Sequence, residues 1–390
     1  MNTKRIVIII AAAALVVLAL VLARVFFGEE AVTQTPQAGT LPQSAARQAQ
    51  AEPNVVGRDK ETPVNAQAQQ QAELLQLSDS AIAGAGIVDE NARFVSAATG
   101  HVFSARLSDG AQIQLSNTTI PRMREVMWNA SGERMLLRLL NDEGTTIRNF
   151  LARISASSTV GAFVSPDIIA VSPSPDRAQF AMLVRAGSAF ALITSEFENN
   201  AQKEVRVLPF GEFRLSWPAT NTITLQTSSS RFTNGVFYAL DVGSGALTKL
   251  LAGVPALSAS LSSDARRALY STATDAKDIA LFLFDTKERA GEELSLATLP
   301  EKCVWSRLVP SRAYCAVPSF IPNGDYPDDW YKGRTSFADF FVVLDARSKT
   351  LRTVFGQTPL DATELLLDSK EQYLLFTNKK DGALWRIRLP

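Results

Sequence analysis

The stretch Trp128-Asn-Ala-Ser-Gly-Glu-Arg-Met135 decides the fold, because it leads from an apolar residue through a tight polar turn into a new strand. The apolar run Met135-Leu-Leu-Arg-Leu-Leu140 follows the turn and has the length of a short strand. Similar units recur along the chain, and their first residues are Ile87, Trp128, Pro173, Trp217, Leu261, Trp305 and Leu367. The spacings between these residues are 41, 45, 44, 44, 44 and 62.

A period of this length with room for four short strands is typical of a propeller blade. Seven units therefore predict an all-β, seven-bladed β-propeller over residues 73–390. In each unit, the first residue would end the inner strand and the following apolar run would form the second strand. Short alternating apolar runs separated by turn residues, with little helical periodicity, agree with this class.

The last unit has three strand-like runs and lacks a fourth. Leu75-Gln-Leu-Ser78 has the same pattern as Ile113-Gln-Leu-Ser116, which sits where the outer strand of the first blade is expected. We therefore expect residues 74–78 to supply the outer strand of blade seven. Such closure hides the strand edge that an open ring would expose.

The units resemble the TolB-type propeller repeat, whose inner hairpin carries an apolar-Ser-Pro-Asp-Gly-like turn. Ser174-Pro-Asp176 matches this turn, and Asn129-Ala-Ser-Gly132 and Ser262-Ser-Asp-Ala265 are degenerate versions. Blade six, with Cys303-Val-Trp-Ser306 and Tyr314-Cys-Ala-Val-Pro318, is similar to membrane-anchored bacterial envelope propellers. These resemblances imply a fold over residues 73–390 and a location, and neither implies an activity.

An apolar segment precedes the propeller. Residues 6–23 carry no charge, and a helix over residues 6–27 would be about 33 Å long, enough to cross a hydrocarbon core of about 30 Å. Lys4 and Arg5 predict that residues 1–5 are cytoplasmic and that the propeller is extracytoplasmic. The alternative is a cleaved signal peptide that ends near Ala23.

Residues 28–72 contain no aromatic residue and are rich in Gln, Ala, Thr and Pro. Such a segment buries too little apolar surface to offset the entropy of ordering. We predict a disordered linker here, between the membrane segment and the propeller.

The composition excludes several classes of function. Lys plus Arg and Asp plus Glu are both 39, so the formal net charge is zero and a nucleic-acid partner is not expected. One histidine and two cysteines exclude His-cluster and Cys-rich metal sites. His101 lies in a strand-like run, where a packed or surface role is favoured over a catalytic one. We predict no catalytic residue, metal or cofactor.

The interval from Trp305 to Leu367 is 62 residues long, and the extra residues fall between the second and third strands of blade six. Long loops on rigid scaffolds often carry function. Charged and aromatic side chains together suit a sugar ring or a protein partner. The predicted ligand-binding residues are Asp325, Tyr326, Asp328, Asp329, Trp330, Tyr331 and Arg334.

Two alternatives for this loop stay open. Its aromatic residues would equally serve as a lid that folds back over blade six. Its three aspartates do not follow the spacing of an EF-hand calcium loop, which disfavours a calcium site.

Cys303 and Cys315 lie on either side of the predicted inner hairpin of blade six, whose centre is Val309-Pro310. Directly opposed residues of antiparallel strands have Cα atoms about 4.5–5.5 Å apart, within the range of a disulfide. We predict this bond, which an oxidising compartment would preserve. The alternative is a pair of buried free thiols.

These features predict a membrane-anchored, extracytoplasmic propeller of the cell envelope that binds a partner protein or an envelope glycan. The alternative is an envelope enzyme that acts on glycan or peptide through paired acids on a propeller face.

Overall fold

The computed structural model describes residues 73–164, 167–273 and 279–390. These residues form seven four-stranded antiparallel sheets, which confirms the predicted seven-bladed, all-β propeller. The predicted membrane segment at residues 6–27 and the predicted linker at residues 28–72 lie outside the described residues. Within the described ranges, no helix is both long and apolar enough to cross a membrane.

The first strand, β1 (Leu74–Gln76), stands apart from the blades that follow it directly in sequence. Blade one comprises β2 (Ile82–Val88), β3 (Asn91–Ser96), β4 (Val102–Arg106) and β5 (Gln112–Ser116). Blade two comprises β6 (Met123–Trp128), β7 (Arg134–Leu140), β8 (Ile147–Ser155) and β9 (Ser158–Phe163). Blade three comprises β10 (Ile168–Pro173), β11 (Gln179–Ala186), β12 (Ala189–Glu196) and β13 (Gln202–Leu208).

The next three blades repeat the same order. Blade four comprises β14 (Phe213–Ala219), β15 (Thr222–Thr227), β16 (Asn234–Asp241) and β17 (Leu247–Pro255). Blade five comprises β18 (Ser258–Leu261), β19 (Arg267–Ala273), β20 (Ile279–Asp285) and β21 (Ala290–Glu293). Blade six comprises β22 (Cys303–Trp305), β23 (Arg312–Pro318), β24 (Asp339–Asp345) and β25 (Thr350–Phe355). A 3-10 turn at Pro300–Lys302 precedes β22, and a one-turn helix, α1 (Asp328–Tyr331), lies between β23 and β24.

Blade seven closes the ring with strands from distant parts of the chain. It comprises β26 (Ala362–Leu367), β27 (Tyr373–Asn378), β28 (Leu384–Arg388) and, at its outer edge, β1. Leu75 of β1 pairs with Arg386 of β28, and the backbone N–H of Leu77 donates to the carbonyl of Leu384 at 2.7 Å. Leu77 itself is fully buried. The predicted closure by residues 74–78 is therefore confirmed.

The core lies in the seams between neighbouring blades. Trp128 shares an apolar cluster with Val95 and Val102 of blade one. Trp217 shares a cluster with blade three, and Trp305 shares one with blade five. Because each tryptophan lies at or within two residues of the end of an inner strand, its place in the repeat sets it against the preceding blade. All three tryptophans therefore serve packing between neighbouring blades.

Strand alternation gives the ring two ends. The turns that join first to second strands lie at one end, which we call the hairpin face. The loops that join second to third strands lie at the other end with the links between blades, and we call this end the loop face. The predicted ligand-binding residues therefore belong to the loop face.

Candidate functional site

The loop of blade six, residues 319–338, runs past blade five and contacts blade four. The Asp328 carboxylate accepts the backbone N–H of Arg231 at 2.8 Å and the hydroxyl of Ser230 at 3.1 Å. Arg231 also forms an ion pair with Asp325 at 3.4 Å. Since Ser230 and Arg231 lie between β15 and β16, these contacts tie the loop to blade four.

The aromatic residues of the loop point into the protein. Trp330 is 3% exposed, and its indole N–H donates to the Asp361 carboxylate at 3.0 Å. Its ring stacks on Phe337 with an interplanar angle of 14°. Tyr326 is 1% exposed, and its hydroxyl donates to the carbonyl of Pro322 at 2.7 Å. These two rings fix the loop in place.

A buried ammonium group supports Trp330 from below. Lys302 Nζ donates to Asp339 at 2.8 Å, to Asp361 at 2.6 Å and to the carbonyl of Ala362 at 2.9 Å. The side chains of the three charged residues are fully buried. Lys302 Nζ also lies 5.3 Å from the centre of the Trp330 ring, within cation–π range. Burial raises the pKa of the Asp339 carboxyl, although the Lys302 ammonium opposes the rise.

Tyr331 contacts Glu301 and Arg214 instead. Its hydroxyl donates to the Glu301 carboxylate, and Arg214 Nη1 lies 2.8 Å from Glu301 and 3.2 Å from the tyrosine oxygen. Burial, followed by the charge of Glu301, raises the pKa of Tyr331. Burial also acts to raise the pKa of Glu301, but Arg214 and the Tyr331 hydroxyl outweigh it and the pKa is lowered. The loop is thus tied through Tyr331 to the inner strand of blade four.

Of the seven predicted site residues, three are buried, three (Asp325, Asp329 and Tyr331) are half-buried, and Arg334 is exposed. Tyr326, Asp328 and Trp330 are buried, so in this conformation they hold the loop and offer no face to a ligand, as in the lid alternative. Arg334 is exposed and forms an ion pair with Asp329 at 3.2 Å. The backbone N–H of Asp325 lowers the pKa of the Asp329 carboxyl.

Two phenylalanines on the same face were not among the predicted ligand-binding residues. Phe320, at the start of the loop, and Phe232, beside Arg231 in blade four, are each 73% exposed. Phe320 lies two residues after the end of β23, within the long loop that the sequence singled out. Phe232 gave no such signal, because only tertiary contact brings the turn of blade four to the loop of blade six.

The inner hairpin of blade six carries a disulfide. Cys303 of β22 pairs directly with Cys315 of β23, and their Sγ atoms are 2.08 Å apart. Their Cα atoms are 4.1 Å apart, slightly closer than the separation expected for opposed strand residues. The predicted pairing of Cys303 with Cys315 across the inner hairpin is therefore confirmed.

A cavity of about 360 Å³ opens at the hairpin face. Residues from the hairpin turns of blades one, two, three, six and seven line it, and they include Asp89, Ala130, Arg177, Arg307, Asp368 and Glu371. A second cavity of about 500 Å³ between blades one and seven shares Asp89, Asp368 and Ser369 with the first. The two cavities therefore adjoin at the seam where the ring closes.

Two acids at this mouth are engaged in turn structure. Glu371 accepts the hydroxyl of Ser306 at 2.7 Å and the backbone N–H of Arg307 at 2.9 Å. Asp368 accepts the backbone N–H of Tyr373 at 2.6 Å. Each carboxylate thus holds a hairpin turn in shape.

Among the described residues, no group of three or more His, Cys, Asp or Glu side chains is placed to hold a metal ion. His101 Nε2 lies 3.4 Å from the hydroxyl of Thr119, and its Nδ1 lies 3.4 Å from the amide nitrogen of Gln114. These contacts fit the packed or surface role that the sequence favoured.

No protein-family model matches the chain, and no curated protein matches it by sequence. Solved structures similar to it include an oligogalacturonate lyase from Vibrio parahaemolyticus, with 9% identity, a TM-score of 0.56, and coverage of 83% of this chain and 95% of the lyase. An oligogalacturonate lyase in complex with manganese is 10% identical, with a TM-score of 0.55 and coverage of 83% of this chain and 94% of the lyase. TolB from Acinetobacter baumannii is 11% identical, with a TM-score of 0.43 and coverage of 67% of this chain and 61% of TolB. At these identities, the similarity to the lyases shows the β-propeller fold alone, and it agrees with the fold implied by the sequence resemblance.

Proposed function

We propose that this chain is a binding module of the cell envelope, anchored in the membrane by residues 6–27, which captures a partner protein on the loop face of its propeller. The observation that carries the proposal is the attachment of the blade-six loop to blades four, six and seven. A loop fixed before binding loses little conformational entropy when a partner arrives.

The exposed residues of the loop face favour a protein over a glycan. Sugar recognition uses flat aromatic faces, and those of Tyr326 and Trp330 are buried. The groups left on the surface are two phenylalanines, Phe320 and Phe232, and charged side chains that include Lys332 and Arg334. Exposed aromatic residues and arginine are enriched in protein interfaces, whose rims are polar.

Capture from membranes tests the proposal. Full-length protein carrying an affinity tag is cross-linked in intact cells and purified in detergent, and captured partners are identified by mass spectrometry. We expect the double variant Phe320→Ser and Arg334→Ala to lose at least tenfold of the main partner, because hot-spot residues dominate interface energy.

Leu308→Ser is the matched control, since Leu308 is 61% exposed but lies on the hairpin face. Equal capture by the double variant and the wild type would reject the loop face as the binding surface. Turnover of a glycan or peptide by the purified protein would contradict the binding role and support the enzyme alternative.

Protease accessibility tests the proposed anchoring. Protease added to intact spheroplasts should digest the propeller, because Lys4 and Arg5 favour a cytoplasmic N-terminus. Protection of the propeller until lysis would show that the orientation is wrong.

A further inference from the structure

The same hairpin turn occurs in several blades with the same hydrogen bonds. In blade three, the hydroxyl of Ser174 donates to Asp176 at 2.6 Å, and the backbone N–H of Arg177 donates to the Ser174 carbonyl at 2.9 Å. In blade five, Ser262 donates to Asp264 at 2.7 Å, and the N–H of Ala265 donates to the Ser262 carbonyl at 2.9 Å. Arg177 and Ala265 therefore occupy equivalent positions.

This position requires a left-handed backbone. The φ angle is 63° at Gly132 in blade two, 56° at Arg177, 58° at Ala265 and 52° at Glu371 in blade seven. Glycine adopts this conformation without strain, whereas a Cβ atom approaches the following carbonyl oxygen. A large side chain at such a position is unfavourable for the turn itself, so its presence points to a role in what the turn faces.

Arg177 faces the cavity of about 360 Å³ together with Arg307. Arg307 lies in the turn of blade six, and its guanidinium crosses the mouth to donate to the carbonyl of Pro175 in blade three. Burial, followed by repulsion from Arg307, lowers the pKa of Arg177 to about 10. Two guanidinium groups thus line the cavity, together with the carboxylates of Asp89, Asp176, Asp368 and Glu371.

Within the described ranges, the Arg177 guanidinium forms no hydrogen bond or ion pair with an acid or a carbonyl. The nearby carboxylates have other donors. Asp176 accepts the hydroxyl of Ser174 and the backbone N–H of Ala178 at 3.1 Å, and Glu371 accepts Ser306 and the N–H of Arg307. The half-buried Arg177 side chain therefore lines the cavity, and its N–H groups can donate hydrogen bonds to a ligand.

We propose that the hairpin-face mouth binds a small oxyanion, a carboxylate or phosphate group, with Arg177 as its main ligand and Arg307 as its second. Guanidinium groups bind such anions through two parallel hydrogen bonds. The cavity volume of about 360 Å³ lies at the lower end of ligand pockets, which suits a small acid or the acidic end of a larger molecule. This site lies on the opposite face from the proposed partner surface.

Titration calorimetry of the full-length protein in detergent tests the site. Inorganic phosphate and acetate are titrated separately, with chloride holding the ionic strength constant. We expect saturable binding of one or both, and the difference between them identifies the preferred anion. Arg177→Gly should abolish binding, and Arg177→Lys, which keeps the charge but loses the planar fork, should weaken it at least tenfold.

The matched control is Arg266→Ala, because Arg266 is an exposed arginine in the equivalent turn of blade five and lies outside the cavity. It should bind as the wild type does. The proposal is overturned if neither anion binds saturably, or if Arg177→Gly binds as tightly as the wild type.

Melting without added anion separates ligand binding from folding. Glycine suits the left-handed position, so Arg177→Gly should melt at the same temperature as the wild type or higher. A lower melting temperature would show that Arg177 supports the fold, and would overturn its assignment as a ligand. The Phe320→Ser and Arg334→Ala variant should keep anion binding, so the failure of one proposal leaves the other intact.

Discussion

Replacing Lys302 by Met tests how the blade-six loop is held. The ammonium of Lys302 lies between Asp339 and Asp361, and the side chains of the three residues are fully buried. Methionine has a similar length and no charge, so the substitution leaves little cavity. It leaves the two carboxylates buried without their cation.

The expected loss of stability is large. Removing one partner of a buried ion pair costs about 3–5 kcal/mol, because the remaining charge stays desolvated. Unfolding entropy near about 2.1 cal/mol/K per residue gives roughly 0.7 kcal/mol/K for a propeller of about 320 residues. The melting temperature should therefore fall by about 4–8 °C.

Thermal unfolding followed by circular dichroism measures this loss, and limited proteolysis shows whether the loop opens first. Lys287→Met is the matched control, since the Lys287 side chain is 91% exposed. Exposed substitutions change stability by no more than about 0.5 kcal/mol. A Lys302→Met protein that melts within about one degree of the wild type would refute the reasoning, since that shift is below about 1 kcal/mol.

The same cluster gives a pH dependence through Asp339. Its pKa is raised by burial, so protonation of Asp339 favours the folded state. The contribution is fully present below the unfolded value of about 4 and is lost as the pH rises through the raised folded value. Asp339→Asn keeps an oxygen for Lys302 and for the N–H of Ala362, and should remove this part of the pH dependence. An unchanged slope of melting temperature against pH would contradict the assignment.

Two further predictions concern the Cys303–Cys315 disulfide and the outer strand β1 of blade seven. The double variant Cys303→Ser and Cys315→Ser should lose about 3 kcal/mol of stability, because the bond closes a short loop, and two alkylatable thiols in unreduced wild-type protein would argue against the bond. Deleting residues 73–80 removes β1 and the fully buried Leu77, whose side chain alone contributes about 1.5–3 kcal/mol, so an unchanged melting curve would show that blade seven does not need this strand.

The repeat could be predicted because its signal is local. Each unit places an apolar residue, a polar turn and a second apolar run within about a dozen residues, and that order alone sets a β-hairpin. The near-constant spacing then places Trp128, Trp217 and Trp305 at equivalent seams. The register of Cys303 with Cys315 followed from the same hairpin.

Whether the aromatic residues of the loop face a ligand or fold back over the blades could not be predicted, because the answer depends on contacts between blades. Asp328 meets Ser230, which lies 98 positions away in sequence. A tryptophan in a polar loop has the same sequence pattern whether it stacks on a ligand or inserts beneath a lid. Lys302 gave no signal either, since a lysine between turns is usually solvated and only Asp339 and Asp361 explain its burial.

The Arg177 position could have been found from the sequence. Aligning Ser174-Pro-Asp-Arg177 with Asn129-Ala-Ser-Gly132 places an arginine opposite a glycine at the fourth residue of the turn. A charged residue where the turn favours glycine is a signal in the sequence alone. The convergence with Arg307 was not visible, because it depends on the placement of blades three and six on opposite sides of the mouth.

Blade six joins the two proposed surfaces through a very short strand. Its inner strand β22 has three residues, the fewest of any inner strand in the described ring, and so forms few ladder hydrogen bonds. Lys302 precedes this strand at the loop face and Arg307 follows it at the hairpin face, while the Cys303–Cys315 bond pins it between them. The double serine variant should therefore weaken partner capture and anion binding together, whereas the loop-face double variant and Arg177→Gly each affect one. If the serine variant stays folded and keeps partner capture and anion binding at wild-type strength, the disulfide does not position either surface. The backbone hydrogen bonds of β22 would then be enough to hold both.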